Sequence, residues 1–280
     1  MGSNLSQTFP PKPLFSVEQI PDLTGQVIIW KRRIGKGNMQ VYLAARSKSR
    51  ADDAIEWLKS ETNGKTPVFL ELDLGNLASV RKAAEEFKSK EQELHVLFNN
   101  AGVMAPPVEQ RTFDDYDLQT HHSQAHGHAR VINTSSASVY LAPRRDCLGN
   151  LGNRRIEHNS VQEAGHSYPI CLRGNVLFSN ELAKRYAHQG VISSSLNPGN
   201  LQQNFCAICH GWLRRFLCAS SLVSSYGALT QLWSGTMPRA RHNGKFLIPW
   251  ARIGDAGVNS HNEQLAENLW NWLEEQVKGH

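Results

Sequence analysis

The sequence predicts an α/β fold: a mostly parallel sheet whose first βα unit is truncated. Three observations carry this. Short apolar runs alternate with segments of helical period in the order strand–helix–strand–helix–strand, which is the pattern of a parallel sheet with crossover helices. One run, Leu94-His95-Val96-Leu97-Phe98, stops abruptly at the polar, small-residue turn Asn99-Asn100-Ala101-Gly102. Open parallel sheets bind ligands at such strand ends. Finally, only ten residues separate Trp30 from Val41, too few for turns plus a full crossover helix.

Taken in order, residues 1–21 carry Pro10, Pro11, Pro13 and Pro21 and read as an extended lead-in, followed by a single domain over 22–280. Leu23–Trp30 reads as a first strand and Val41–Arg46 as a second. A helix is expected over about 50–62, with Ile55 and Leu58 on one side and Gly64 just past its end. Pro67–Leu72 is a third strand ending at Asp73. Asn76 can cap the next helix, in which Leu77, Val80, Ala84 and Phe87 recur at helical spacing. The opening stretch supplies the fourth strand. Further on, strands are expected at 130–134, 191–196 and 245–248, and helices at about 168–188, 220–234 and 261–277. The last carries Leu265, Leu269, Trp272 and Leu273 on one face.

Bulk composition narrows the function classes. Of the 280 residues, 40% are apolar, enough for a packed core, and mean hydropathy is −0.44. No run of 18 apolar residues exists, so no membrane span is expected. The net charge of +5 comes from scattered basic residues and short pairs such as Arg32-Arg33 and Arg144-Arg145. Without a basic stripe or interleaved aromatics, nucleic acid is not an expected partner. Five cysteines, an odd number, with no export signal before them suit reduced thiols in a cytoplasmic protein. Met1-Gly2-Ser3-Asn4-Leu5-Ser6 fits a myristoylation pattern that many unmodified proteins also fit.

The residues that could carry chemistry sit at strand ends. Asn side chains brace turns, and Ala101-Gly102 lets a flat ligand approach backbone. After the first strand comes Lys31-Arg32-Arg33-Ile34-Gly35-Lys36-Gly37. Dinucleotide folds place a glycine-rich turn and a helix N-terminus there for a pyrophosphate. Asn99-Asn100-Ala101-Gly102 resembles the NNAG motif of the short-chain dehydrogenase/reductase family, whose members use NAD(H) or NADP(H) for hydride transfer at a carbonyl or alcohol carbon. The resemblance runs from about residue 22 to 277 and implies a doubly wound, Rossmann-like fold. It is strongest at the NNAG strand, at the helix beginning with Tyr168, and at Lys245–Trp250, which looks like fungal-type, retinol-dehydrogenase-like members.

Several positions take roles from that resemblance. Ile34-Gly35-Lys36 looks like the tail of the family's glycine pattern, with Gly35 toward the cofactor. Its earlier glycines have no counterpart, and Arg33 stands where the middle one belongs. Arg46 ends the second strand, where the family separates a ribose 2′-hydroxyl from a 2′-phosphate. A guanidinium suits phosphate, which favours NADP over NAD. Asp73 resembles the family's adenine-contacting Asp. Asn197-Pro198-Gly199-Asn200-Leu201 resembles the turn that borders the nicotinamide, with Pro198, Gly199 and Leu201 at cofactor positions. The implied cofactor set also includes Asn100, Ala101 and Gly102.

The family's catalytic Ser, Tyr and Lys are incompletely represented. Arg130–Ser136 resembles the strand ending in the catalytic serine, and Ser136 matches it, with Ser135 the neighbour it could be confused with. Tyr168 matches the catalytic tyrosine, in a register fixed by the near-continuous match from Gly174 to Tyr186. Four residues on, the lysine position holds Leu172. Arg173 lies about 100° further round the helix and cannot simply substitute. The family's Asn is absent as well: no Asn lies between Val103 and Ile132. Phe113–Gln119 resembles the lead into its helix, but Thr120–His128 has almost no apolar face, so a second segment looks missing.

Two patterns look like metal or haem sites and are expected not to be. Cys206-Ala207-Ile208-Cys209-His210 fits a c-type haem attachment pattern without the export setting haem attachment needs. His121, His122, His126 and His128 read as a solvated loop rather than a metal site. The expectation is therefore an NAD(P)-dependent oxidoreductase of impaired activity on a small carbonyl or alcohol substrate, with a homo-oligomer allowed. Ser136 and Tyr168 would be its catalytic residues, with no metal and no membrane span. The alternative is an inactive relic or a non-enzymatic binding protein of the same fold.

Overall fold

The structure is a computed structural model. It describes residues 6–7, 9–29, 39–101, 112–114, 129–142, 161–199, 226–238 and 242–278, with backbone alone over 161–168. Among the described residues eight strands form one sheet in the order β3-β2-β1-β4-β5-β6-β7-β8. They are β1 (Val27–Ile29), β2 (Gln40–Ala45), β3 (Val68–Glu71), β4 (Val96–Asn99), β5 (Arg130–Thr134), β6 (Ile192–Leu196), β7 (Lys245–Ile248) and β8 (Arg252–Gly254). All neighbours are parallel except β7 and β8. The strand order reverses between β1 and β4, so the sheet is doubly wound and has its switch point there.

Five α-helices are described: α1 (Lys48–Glu61), α2 (Leu77–Lys90), α3 (Val161–Tyr186), α4 (Gly227–Thr236) and α5 (Glu263–Gln276). Capping follows from sequence. Asn76 Oδ1 accepts from Ser79 N–H at 3.2 Å and Asn262 Oδ1 from Leu265 N–H at 2.9 Å. These satisfy amides that lack a partner in the first turn. Strand alternation splits the core into two layers. Ile28, Val96, Phe98, Ile132 and Leu196 pack on one side with Leu232 of α4. Val27 on the other side packs with Ala83 and Phe87 of α2. Val131 faces Phe178 and Leu182 of α3 and Trp270 of α5.

Several boundaries differ from expectation. β1 is three residues rather than eight. α2 buries Ala83, while Ala84 is exposed. α3 covers Val161–Tyr186 rather than about 168–188, so Pro169 lies inside the helix. α4 is described over Gly227–Thr236 and so runs two residues past its expected end at 234, while 220–225 lie outside the described residues. The lead-in is not wholly extended: Val17–Gln19 forms a 3-10 turn, and Phe15 and Ile20 are buried in the core beside Leu23 and Ile28.

The β1–β2 pair needs a physical account. An antiparallel hairpin, which ten connecting residues would also permit, does not form. The pairing is parallel, with Val27 opposite Gln40 and Ile29 opposite Tyr42. Because β1 is so short, the chain must drop back only about 7 Å along the sheet to begin β2. Ten residues reach up to about 33 Å, ample for a step of that size. Residues 30–38, Gly35 among them, lie outside the described residues.

Candidate functional site

The predicted residues that are described gather at the carboxyl ends of the strands. Ser135 and Ser136 follow β5, Asn100 and Ala101 follow β4, Arg46 follows β2, Asp73 lies just past β3, and Pro198 and Gly199 follow β6. Gly102, Leu201, the Tyr168 side chain, the His121–His128 group, Gly2 and the Cys206-Cys209-His210 pattern lie outside the described residues.

The serine pair divides its work. Ser135 is buried and its Oγ donates to the Leu172 carbonyl of α3 at 2.9 Å. Ser136 stays partly exposed, and its Oγ accepts from Ser138 N–H at 3.2 Å, capping a 3-10 helix over Ala137–Leu141. Two more ties lock α3 to the end of β5 and to the residue that closes the 3-10 helix after it. Asn175 Nδ2 donates to the Thr134 carbonyl at 2.8 Å, and the buried Arg173 guanidinium donates to the Ala142 carbonyl. The Tyr168 backbone is thus on the helix that Ser135 grips, one turn before the gripped residue. Leu172 itself is buried, at 9% exposure. An apolar side chain fits that packing, and it offers neither charge nor donor.

Around Asn100 the structure builds a polar knot that local sequence patterns do not indicate. Its Oδ1 accepts from Thr134 Oγ1 at 3.1 Å and from Gln231 Nε2 of α4 at 2.6 Å. One residue inward, Asn99 Nδ2 donates to Asn133 Oδ1 at 2.9 Å, and Asn133 Nδ2 donates to Ser193 Oγ at 3.2 Å. Ser193 Oγ also lies 2.9 Å from Ser179 Oγ of α3. These bonds connect β4, β5, β6 and α3 through buried or half-buried groups, where an unmet donor is costly.

The turn after β6 is held tightly. Gly199 has φ +88°, and a Cβ there would sit 2.7 Å from the Trp250 ring. Its N–H donates to Asn197 Oδ1 at 3.0 Å. On the β1–β3 side, Arg46 is exposed beside the start of α1, where Ser47 Oγ accepts from Arg50 N–H. The guanidinium and the helix N-terminus offer positive potential to an anion. Asp73 is committed to its turn: Oδ1 accepts from Gly75 N–H at 2.9 Å, and its own N–H meets Ser79 Oγ at 3.0 Å. Among the described residues no cluster of three metal-ligating side chains occurs, and no helix is long and apolar enough to cross a membrane.

Comparison with known proteins agrees with this fold. The short chain dehydrogenase family model matches residues 30–141. A short-chain dehydrogenase/reductase of Armillaria gallica is 42% identical over 305 residues, covering 98% of this chain and 97% of the relative. A crystal structure of a Mycobacterium paratuberculosis protein superposes with TM-score 0.69 at 20% identity, covering 94% of this chain and 97% of that one. A short chain dehydrogenase from Burkholderia cenocepacia in complex with NADP does so with TM-score 0.56 at 17% identity, covering 83% and 99%. The chain belongs to the short-chain dehydrogenase/reductase family of oxidoreductases, whose members use NAD(P).

Proposed function

We propose that the chain is an NADP(H)-linked carbonyl/alcohol oxidoreductase whose turnover is slow. The observation that carries this is the division of labour at β5: Ser135 clamps the helix that bears Tyr168, and the partly exposed Ser136 is left to meet a substrate oxygen. The described residues suit the cofactor. Arg46, at a strand end beside a helix N-terminus, is a seat for a 2′-phosphate, and Asp73, Asn100, Ala101, Pro198 and Gly199 edge the same end of the sheet. Gly35, Gly102 and Leu201 complete the set by family match.

When bound, the nicotinamide would supply or accept the hydride. Ser136 Oγ would hydrogen-bond the substrate oxygen, and Tyr168 would pass a proton to that oxygen in reduction or take it back in oxidation. A phenol has an ordinary pKa of about 10, and Leu172 supplies no cation to lower it. Loss of such a partner costs about 10²–10⁴ in rate, so slow turnover is the expected consequence. The Armillaria gallica alignment spans 305 positions against 280 residues here, so part of that relative faces gaps in this chain. Segments missing at Lys31–Gln40 and Thr120–His128, the two places where the sequence reads as shortened, would account for such gaps.

The buried Leu172 and the short β1–β2 connection also favour a second reading, a cofactor-free relic of the same scaffold. Titration with NADPH, followed by fluorescence and thermal shift, separates the two. Micromolar binding supports the enzyme; millimolar or absent binding supports the relic. The Leu172→Lys variant then tests the missing cation: turnover should rise by about 10²-fold or more, and no rise would mean other losses also limit it. A cytoplasmic location, a homo-oligomer and a small-molecule carbonyl or alcohol substrate belong to the same proposal.

A further inference from the structure

We propose that Gln7, far from the site in sequence, is a positioning residue for the turn after β6. Its side chain is 1% exposed and lies between two loops of the candidate site. Asn197 Nδ2 donates to Gln7 Oε1 at 3.0 Å, and Gln7 Nε2 donates to the Tyr140 hydroxyl at 2.9 Å. Tyr140 in turn donates to the Asp255 carbonyl, just beyond β8. At the other end, Asn197 Oδ1 accepts from Gly199 N–H. The donors all run one way: Gly199, Asn197, Gln7, Tyr140, Asp255. At position 7 the relay needs an acceptor and a donor on one side chain, and a primary amide of this reach supplies both without charge.

The segment carrying Gln7 is itself pinned. Arg252 of β8 donates from Nη2 to the Ser6 carbonyl at 2.8 Å, and its guanidinium also holds the Pro249 carbonyl through Nε at 2.8 Å. Gln7 is therefore delivered to a fixed place rather than trailing over the surface. It joins the 3-10 helix that Ser136 caps to the turn containing Pro198 and Gly199. Removing it would leave Asn197, at 2% exposure, with a buried unmet donor. This inference rests on the reading that Pro198 and Gly199 border the cofactor, and its test has one arm that does not.

The test uses the full chain with Gln7→Met, which keeps length but breaks both links, and Tyr140→Phe, which breaks only the far one. Amide hydrogen exchange is followed at Gly199 without nucleotide, with Leu43 of β2 as the internal control. NADPH affinity, kcat and KM are measured beside it. Gln7→Met should raise Gly199 exchange about tenfold over the control and weaken NADPH about tenfold, with a smaller rise for Tyr140→Phe. Exchange at Gly199 that keeps pace with Leu43 in both variants overturns the proposal. So does NADPH affinity per folded molecule that stays unchanged in a wild type that binds it. If the wild type binds no NADPH, the cofactor reading fails and the exchange arm alone decides. If Gln7→Met does not fold, Tyr140→Phe decides by the same criterion.

Discussion

The two halves of the sheet are built by different means. On the β4–β8 side, elements are joined by side-chain hydrogen bonds between distant residues: Ser135 to Leu172, Asn175 to Thr134, Asn100 to Gln231, Asn197 to Gln7. On the β1–β3 side the joints are mainly apolar, with Val27, Tyr42, Leu70, Ala83 and Phe87 in one cluster and exposed ion pairs such as Lys48–Asp52 outside it. Apolar contact is tolerant of altered geometry, whereas a hydrogen bond is lost with small displacements. The difference teaches which half tolerates displacement: the β1–β3 side can shift on apolar contacts, while the side that carries Ser136 keeps its angular constraints.

The contrast can be broken most forcefully at Gly199. Gly199→Ala adds a Cβ at 2.7 Å from the Trp250 ring in a left-handed backbone. Strain and overpacking together should cost about 2–4 kcal/mol of stability, read by urea denaturation. A loss below about 1 kcal/mol would mean that the polar side is as pliant as the other. Next in size is Arg46→Ala, which should weaken NADPH roughly tenfold or more and leave NADH little changed, by fluorescence titration. Equal loss for both nucleotides would remove Arg46 from the 2′-phosphate role.

Much of this arrangement is legible in the sequence, for reasons that differ by element. β5 and β7 fall within their expected limits because apolar runs bounded by turn residues are local signals. The Asn76 cap is legible because capping depends on residues three apart. Arg252-Ile253-Gly254 is too short to show a period, so β8 leaves no sequence signal. The spacing of Val80 and Phe87 allows either alanine to face inward, and packing chooses Ala83 over Ala84. At the site, Ser136 and Asn100 are readable from strand ends. Gln7 is not, since its partners are 133 and 190 residues away and nothing in the Pro-rich segment marks a buried amide.

Smaller effects sharpen the same contrast. Asn76→Ala should cost about 1 kcal/mol by thermal melting, as an ordinary cap does, without touching the β4–β8 side. Ser195 Oγ is buried with no hydrogen-bond partner among the described residues. Ser195→Ala should therefore be neutral, or stabilising by up to about 1 kcal/mol in urea denaturation; a clear loss would place Ser195 within the polar network. The smallest effect concerns pH. Burial, and then the nearby Arg130 charge, hold His242 below its ordinary pKa. The folded state thus binds its proton less readily than the unfolded chain. Stability from this group is complete above about pH 6.5 and falls as pH drops toward the lower folded value. His242→Phe, packed on Trp233 as the imidazole is, should flatten melting midpoints measured between about pH 7 and 5.

β8 also bears on how this sheet meets other chains. It runs against β7, ends the strand order, and contributes only three residues, with Gly254 seated against Ile248. A fringe of that brevity offers an incoming strand few ladder positions and turns away from the parallel direction of its neighbours. The molecule therefore finishes on this flank with a poor template for edge-to-edge aggregation, even though Ile253 there is 49% exposed.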